Sequence, residues 1–249
     1  MQEIIYNCLD NIPLLNYAFM KNAFIAILLA TPLFAVLGTM IVNNKMAFFS
    51  DSLGHSAICG IAIGTVFGIS NSHISMIVFA CIFAIILNYV KHRVTYGTDT
   101  IISVFSSVSI AIGLSILAVS GRFNQYSNIL LGDILSITWN EITYLFITFI
   151  AVVVFWYKGF NKLHSISINT SIAESKGVNV KLIDNIFVIL ISVVVMISIR
   201  WIGILLINSL LILPAAASRN IAKNIRSYHG FAVIFSLLSR HGRAYNILL

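Results

Sequence analysis

Long apolar runs alternate with short polar segments along almost the whole chain. The hydrocarbon core of a bilayer is about 30 Å thick and needs about 20 mostly apolar residues per helix, and backbone groups inside lipid must be paired within the spanning segment. The pattern therefore predicts transmembrane helices over seven stretches: 23–42, 53–69, 74–90, 101–119, 142–157, 183–199 and 201–218. The run 128–137 is too short to span, and the run 230–238 begins a further helix but meets Arg240 early.

Composition places the chain among integral membrane proteins. Of its 249 residues, 59% are hydrophobic and 9% are charged, which is too apolar a composition for a soluble domain. The alternating ten-residue segments of a β-barrel are absent. We therefore predict an all-α, polytopic helical bundle of seven full spans plus a short eighth, forming one transmembrane domain over residues 1–249. The cysteines Cys8, Cys59 and Cys81 lack the spacing of a disulfide framework or a zinc finger.

Basic residues fix the expected orientation of this bundle. If the predicted helices alternate in direction, most Lys and Arg residues fall on one side, and only Lys21, Arg122 and Arg200 fall on the other. The positive-inside rule makes the basic side cytoplasmic and places the N-terminus outside. The net charge of +7 therefore does not indicate nucleic acid as a partner. No P-loop, HExxH or GxSxG motif occurs, so we expect a protein that is not an enzyme.

The stretch "FFSDSLGHSAICG" places an acid and a histidine inside an apolar segment. Asp51 and His55 have i,i+4 spacing, which puts them about 6 Å apart on one helix face. A carboxylate and an imidazole suit zinc, manganese or iron(II), and ionisable groups at membrane depth usually face a bundle interior or a wet cavity. Cys59 continues this face as a weaker metal candidate, although a free cysteine is more often an apolar filler. Alternatively, Asp51 only marks a helix start and His55 only binds a neighbouring helix.

Two further patterns indicate packing and coupling. Small residues at four-residue spacing form a ridge that lets another helix approach closely; they are Ser56, Gly60, Gly64 and Gly68. The longest loop, 158–184, contains Ser171 and Glu174 in capping-box spacing, followed by Gly177 at a helix end. A helix of about five residues is unstable alone. It is therefore either an ordinary surface turn or a rigid element that passes force to a cytoplasmic partner.

Several of these stretches resemble one family, the permease subunits of bacterial zinc and manganese ABC importers. The resemblance runs in order from Tyr17 to Leu238. Its elements are "FFSDSLGHSAICGIAIG", which is similar to D-[AS]-L-[SG]-H, "GTDTIISVFSSVSIAIGLSIL", "LLGDILSIT", "IAESKGVNV" and "WIGILLINSLLILPAAASRNIA". Five ordered elements make the resemblance more specific than any single motif.

The resemblance implies a transport subunit of a bacterial plasma membrane. Such permeases pair as homodimers, dock on a cytoplasmic ATPase dimer and receive the ion from an extracytoplasmic metal-binding protein. Asp51 and His55 match the metal-contacting positions. The transported zinc or manganese ion is the substrate, and no cofactor is bound permanently. The positions that match the ATPase-docking loop are Ser171, Ala173, Glu174, Gly177 and Val178.

The C-terminal segment departs from the family pattern, and other functions remain open. The tail 239–249 has arginines where the family has a glycine-rich final span, which is typical of a truncated or frame-shifted end, so an inactive truncated product is one alternative. An iron-siderophore-type ABC permease is the nearest rival. A stand-alone secondary metal transporter would show internal repeats with broken helices, and an intramembrane enzyme would need a nucleophile or second acid. Zinc is favoured as the substrate, with manganese or iron(II) as alternatives.

Overall fold

The chain folds as a bundle of long α-helices. The computed structural model describes residues 6, 17–69, 72–94, 97–121 and 129–247, and these residues contain no β-strand. The helices in chain order are α1 (Ala18–Asn43), α2 (Phe49–Val66), α3 (Ser72–Lys91), α4 (Thr98–Val119), α5 (Trp139–Ile168), α6 (Thr170–Ser175), α7 (Val180–Ile202), α8 (Ile204–Ile221) and α9 (Ile225–Ile247). A single turn of 3₁₀-helix, Ile134–Ser136, precedes α5. The all-α prediction is confirmed for the described residues.

Six of these helices are long and apolar enough to cross a membrane, namely α1, α3, α4, α5, α7 and α8. Helix α2 has 18 residues but is not among them. Its serines, Asp51 and His55 lower its mean hydropathy, and it compensates by packing against α3, α4, α7 and α8. The apolar part of α9, Ile225–Leu238, is shorter than a span. The predicted count of seven full spans plus a short eighth is therefore not confirmed.

Two helices extend well beyond their predicted bounds. Helix α5 has 30 residues and continues through Ile168, so the first part of the predicted loop 158–184 is helical. Its capping box, formed by Thr138 and Glu141, fixes the N-terminal end. Helix α9 continues through Ile247, beyond Arg240. The predictions from apolar periodicity placed the ends of both helices too early, because each helix continues through polar residues after its apolar run ends.

A buried ion cluster joins α3, α7 and the α1–α2 turn at one end of the bundle. Asp184 is 3% exposed, and its Oδ2 lies 2.9 Å from His92 Nε2 and 3.5 Å from Lys91 Nζ. The Lys91 ammonium also donates to Met46 Sδ at 3.4 Å. Asn88 adds a hydrogen bond to Asn185. This end of the bundle also carries the start of α7, directly after α6.

A second polar cluster lies where α3 begins, α5 begins and α7 ends. The Arg200 guanidinium is 3.1 Å from Glu141 Oε1 and hydrogen-bonds His73. Because Arg200 is half-exposed and Glu141 is buried, the arginine neutralises a carboxylate that the helix cap holds in place. This cluster ties together three helices that lie far apart in the sequence.

The break between α7 and α8 depends on two glycines. Gly203 has φ +87 and Gly132 has φ +69, and both values lie in the left-handed region that favours glycine. A Cβ atom on Gly203 would lie 2.6 Å from the carbonyl carbon and oxygen of Leu131, and one on Gly132 would lie 2.5 Å from the Ile202 carbonyl carbon. The Asp133 amide donates to Arg200 O at 3.0 Å. The segment 130–133 therefore packs backbone to backbone against the α7–α8 junction.

Candidate functional site

The candidate site lies in the first two turns of α2. His55 Nε2 is 3.5 Å from Asp51 Oδ2, and the side chains are 20% and 40% exposed respectively. The other ring nitrogen, His55 Nδ1, is buried and has no hydrogen-bond partner among the described residues. Asp51 does lie in the first turn, where an acid is favourable. Its carboxylate is nevertheless directed to His55, which makes the two side chains one polar unit.

Helix α8 fixes the start of α2 behind this pair. The Ser50 hydroxyl donates to Asn208 Oδ1 at 2.5 Å. One turn later, a Cβ atom on Gly54 would lie 2.9 Å from the Ile204 side chain. These contacts hold the adjacent face of α2 against α8, and the side chains of Asp51 and His55 beside that face remain partly exposed.

Helix α3 packs against the small-residue ridge of α2. A Cβ atom on Gly60 would lie 3.1 Å from Met76 Cα, and one on Gly64 would collide with the Ser75 side chain. The Ser75 hydroxyl donates to Gly60 O at 2.5 Å. This close approach requires glycine at both positions.

The other two members of the predicted ridge have different surroundings. Ser56 is fully buried, and its hydroxyl returns to Leu53 O. Gly68 lies beyond the end of α2, with φ +69 and no described residue within 4 Å of the position of a Cβ atom. The described residues therefore show no helix packed against Gly68. Its role is to end α2, because glycine readily adopts the left-handed conformation after a helix.

Cys59 lies in a helix interface and not on an open surface. It is a free cysteine, 2% exposed, and Gly113 of α4 packs against its backbone. Cys81 is also free, and Cys8 is outside the described residues. Across the described ranges, no group of three or more His, Cys, Asp or Glu side chains could hold a metal. The predicted ligands Asp51 and His55 are thus a pair without a third such side chain among the described residues.

The short helix α6 forms within the predicted coupling loop, but its N-terminus differs from the prediction. The Asn169 side chain accepts a hydrogen bond from Ile172 N at 3.2 Å and caps the helix. Ser171 lies inside α6, so the predicted capping box between Ser171 and Glu174 is wrong. Asparagine is among the best N-cap residues, and the extended backbone at Asn169 (φ −158) makes it the last residue before the helix.

The C-terminal end of α6 is held as the sequence suggests. Gly177 has φ +74, and its amide donates to Glu174 O at 2.9 Å while Val178 N donates to Ala173 O at 3.1 Å. Ala173 is fully buried and Val178 packs against the core. The rest of α6 projects outwards with an apolar Ile172 that is 51% exposed. The element is thus anchored on one side and open on the other.

The sequence alone did not reveal the two ion clusters around Asp184 and Glu141. Glu141, His73 and Arg200 come from three helices, and at the other end of the bundle Asp184 of α7 pairs with Lys91 and His92 at the end of α3. Only a signal of low specificity was available in the sequence, namely charged residues at the ends of apolar runs. Their pairing depends on which helices are neighbours, and helix periodicity does not specify that.

Comparison with known proteins identifies the family of this chain. The model of the ABC 3 transport family matches residues 16–245. The chain belongs to the ABC 3 transport family. It is accordingly a membrane transport subunit and not an enzyme.

Curated relatives and a solved structure are consistent with this assignment. The chain is 32% identical over 210 residues to the high-affinity zinc uptake system membrane protein ZnuB of Haemophilus influenzae, covering 82% of this chain and 78% of that protein. It is 26% identical over 216 residues to the manganese import system permease protein ScaB of Streptococcus gordonii, covering 85% and 76%. The structure of PsaBC from Streptococcus pneumoniae in complex with Fab matches with a TM-score of 0.75, 24% identity and coverage of 95% and 83%. This structural likeness confirms the fold.

Proposed function

We propose that this chain is the membrane-spanning permease subunit of an ATP-driven importer of a divalent transition metal, with zinc as the favoured ion. The observation that carries the proposal is the partly open Asp51–His55 pair on α2, with its atoms 3.5 Å apart. The relatives include zinc and manganese uptake systems, and this supports the same substrate class. Manganese and iron(II) remain the alternatives because carboxylate and imidazole ligands accept all three ions.

The ligand count supports a second copy of the chain as a partner. Zinc in proteins is usually held by four ligands, and sites that exchange the ion keep a position open. Asp51 and His55 provide two ligands per chain, and both side chains retain exposed surface. A homodimer with the two pairs facing each other would offer the ion up to four protein ligands. The ion then passes along the dimer axis as a substrate, with no cofactor bound permanently.

Helix α6 is the proposed contact with the ATPase. The structure anchors Ala173 and Val178 in the bundle and leaves Ile172 exposed beside Glu174. A partner that pushes on the exposed side moves a rigid element joined directly to α7. The neighbouring Asp184 cluster transfers this movement to α3, which packs on the α2 ridge.

Orientation and the remaining partners follow from the distribution of charge. Lys45, Lys91 and Arg219 lie at the same ends of the alternating helices as α6. The positive-inside rule makes this end cytoplasmic, and the N-terminus then lies outside. The ATPase dimer docks at the basic end, and an extracytoplasmic metal-binding protein delivers the ion at the opposite end of a plasma-membrane bundle.

Equilibrium metal binding by the purified permease tests the site. Titration of the detergent-solubilised protein with zinc should show binding that Asp51→Asn and His55→Gln each weaken by about tenfold or more, since each variant removes one of two ligands. Asp99→Asn is the matched control, because Asp99 is also an acid in the first turn of a helix but has no ion-pair partner among the described residues. Equal binding by all four proteins would refute the site.

A further inference from the structure

Helix α4 covers the same face of α2 that carries the Asp51–His55 pair. Asp51, His55 and Cys59 follow one another at four-residue spacing and therefore share a face. A Cβ atom on Gly113 of α4 would lie 2.9 Å from Cys59 N and 3.2 Å from Ile58 C. Gly113 thus brings α4 into backbone contact with α2 one turn beyond His55. The polar pair lies between the open surface and α4.

The register of the two helices identifies the α4 residues beside the pair. Only residues 67–71 separate α2 from α3 and only residues 92–97 separate α3 from α4, so α3 returns along α2 and α4 runs in the same direction as α2. Both rise about 1.5 Å per residue, so positions equally far from the Gly113–Cys59 contact lie at about the same level. Ser109 is four residues before Gly113, as His55 is four residues before Cys59. Ser106 is seven residues before Gly113, within about one residue of the level of Asp51.

Burial confirms that these two serines point toward α2. Ser109 is 4% exposed and Ser106 is 9% exposed. With Ile102, Gly113 and Leu117 they form the buried side of α4. The adjacent positions Val104 and Val108 are more than half exposed and lie on another side of the helix. The hydroxyl groups therefore face the helix that carries the acid and the histidine.

The hydrogen bonds of the α4 serines differ between the two sides of the helix. The exposed residues Ser103, Ser107 and Ser115 each donate to the carbonyl oxygen four residues earlier, at 2.8, 2.9 and 2.7 Å. Within the described part of the chain, Ser106 and Ser109 make no such bond. Serine in an apolar helix normally satisfies its hydroxyl in this way. These two hydroxyls, on the buried side of α4, do not do so and are available to a ligand.

We propose that Ser106 and Ser109 are positioning residues of the metal pathway, and that they form its second wall opposite Asp51 and His55. An ion retains water molecules whenever it is bound to fewer ligands from the two facing pairs than its full coordination number. The serine oxygens accept hydrogen bonds from those waters, and the serine O–H groups donate to the Asp51 carboxylate. This inference rests on the proposed function, because it assigns the hydroxyls to the ion that the pair binds.

The first test removes the hydroxyls without changing the packing. Ser106→Ala plus Ser109→Ala deletes two oxygen atoms, and alanine is the best helix former. Zinc titration of the purified double variant should show about tenfold weaker binding, and zinc uptake should show a higher KM with a kcat close to that of the parent. Ser115→Ala, which loses only a back-bonded exposed hydroxyl, should match the parent in both assays.

The second test introduces a soft ligand at the same position. Ser109→Cys in a chain with the three native cysteines replaced by serine should bind cadmium more tightly than the cysteine-free parent, because thiolate favours soft ions. Ser115→Cys in the same background should not. Unchanged zinc binding by the double alanine variant, or unchanged cadmium binding by Ser109→Cys, would overturn the inference while leaving Asp51 and His55 in place. A parent protein without zinc binding would instead overturn the proposed function, and this inference with it.

Discussion

Gly132 offers a direct test of the contact that fixes the α7–α8 junction. Alanine at this position must adopt φ +69, which costs an L-residue about 1–2 kcal/mol. Its Cβ atom would also lie 2.5 Å from the Ile202 carbonyl carbon and 2.9 Å from the Ile202 oxygen. These are backbone atoms that cannot rotate away, and overpacking costs about 1–3 kcal/mol. Gly132→Ala should therefore destabilise the protein by about 2–5 kcal/mol.

Gly121 provides the matched control, because it separates the backbone conformation from the collision. Its φ is +68, almost the same as that of Gly132, but no described residue lies within 4 Å of the position of its Cβ atom. Gly121→Ala should cost only the conformational term of about 1–2 kcal/mol. The difference between the two variants, about 1–3 kcal/mol, isolates the contact between segment 130–133 and the junction.

Thermal unfolding in detergent, followed by circular dichroism, measures this difference. For chains of 150–250 residues a destabilisation of 1 kcal/mol lowers Tm by about 2–4 °C. We expect Gly132→Ala to unfold about 5 °C below Gly121→Ala, and Gly121→Ala a few degrees below the parent. Equal Tm values for the two variants would show that the two backbones do not touch, and the reasoning about the junction would fail.

The remaining predictions concern the coupling element, the buried acid and the thiol. Asn169→Ala removes the cap of α6, which is worth about 1 kcal/mol, and should reduce stimulation of the ATPase by the permease; unchanged stimulation would argue against docking there. Asp184→Ala leaves the largely buried Lys91 unpaired and should cost about 3–5 kcal/mol, measured as a Tm loss that Lys91→Ala in the same chain partly restores. Cys59→Ser should leave metal uptake near the parent level, since α4 covers this residue; a loss as large as that of His55→Ala would make the thiol a ligand.

The sequence predicted the membrane class and most helices because these depend on local patterns. Runs of about 20 apolar residues form helices in lipid. Gly177 at the end of α6 adopts φ +74, which glycine does readily. Helix α2 was predicted as a span from its apolar second half. The structure packs it among four neighbouring helices, and sequence periodicity could not reveal those neighbours.

The candidate site was predictable only in part. Asp51 and His55 are neighbours on one helix, so their spacing alone places them together. Ser106 and Ser109 reach the pair through the packing of α4 on α2, which Gly113 determines. The cap of α6 was misassigned because Ser171 and Glu174 have the spacing of a capping box. The residue that caps the helix is Asn169, which lies between α5 and α6. Local rules cannot choose between two competing caps.

ATP-driven uptake in proteoliposomes tests the central claim most directly. The permease, its ATPase and its metal-binding protein would be reconstituted, and zinc and manganese accumulation would be measured for the parent, Asp51→Ala and His55→Ala. We expect ATP-dependent uptake by the parent, with zinc preferred. Both variants should lose it although they insert into the membrane and retain ATPase binding. Full uptake by both variants would contradict the account, because the ion would then cross the membrane without the Asp51–His55 pair.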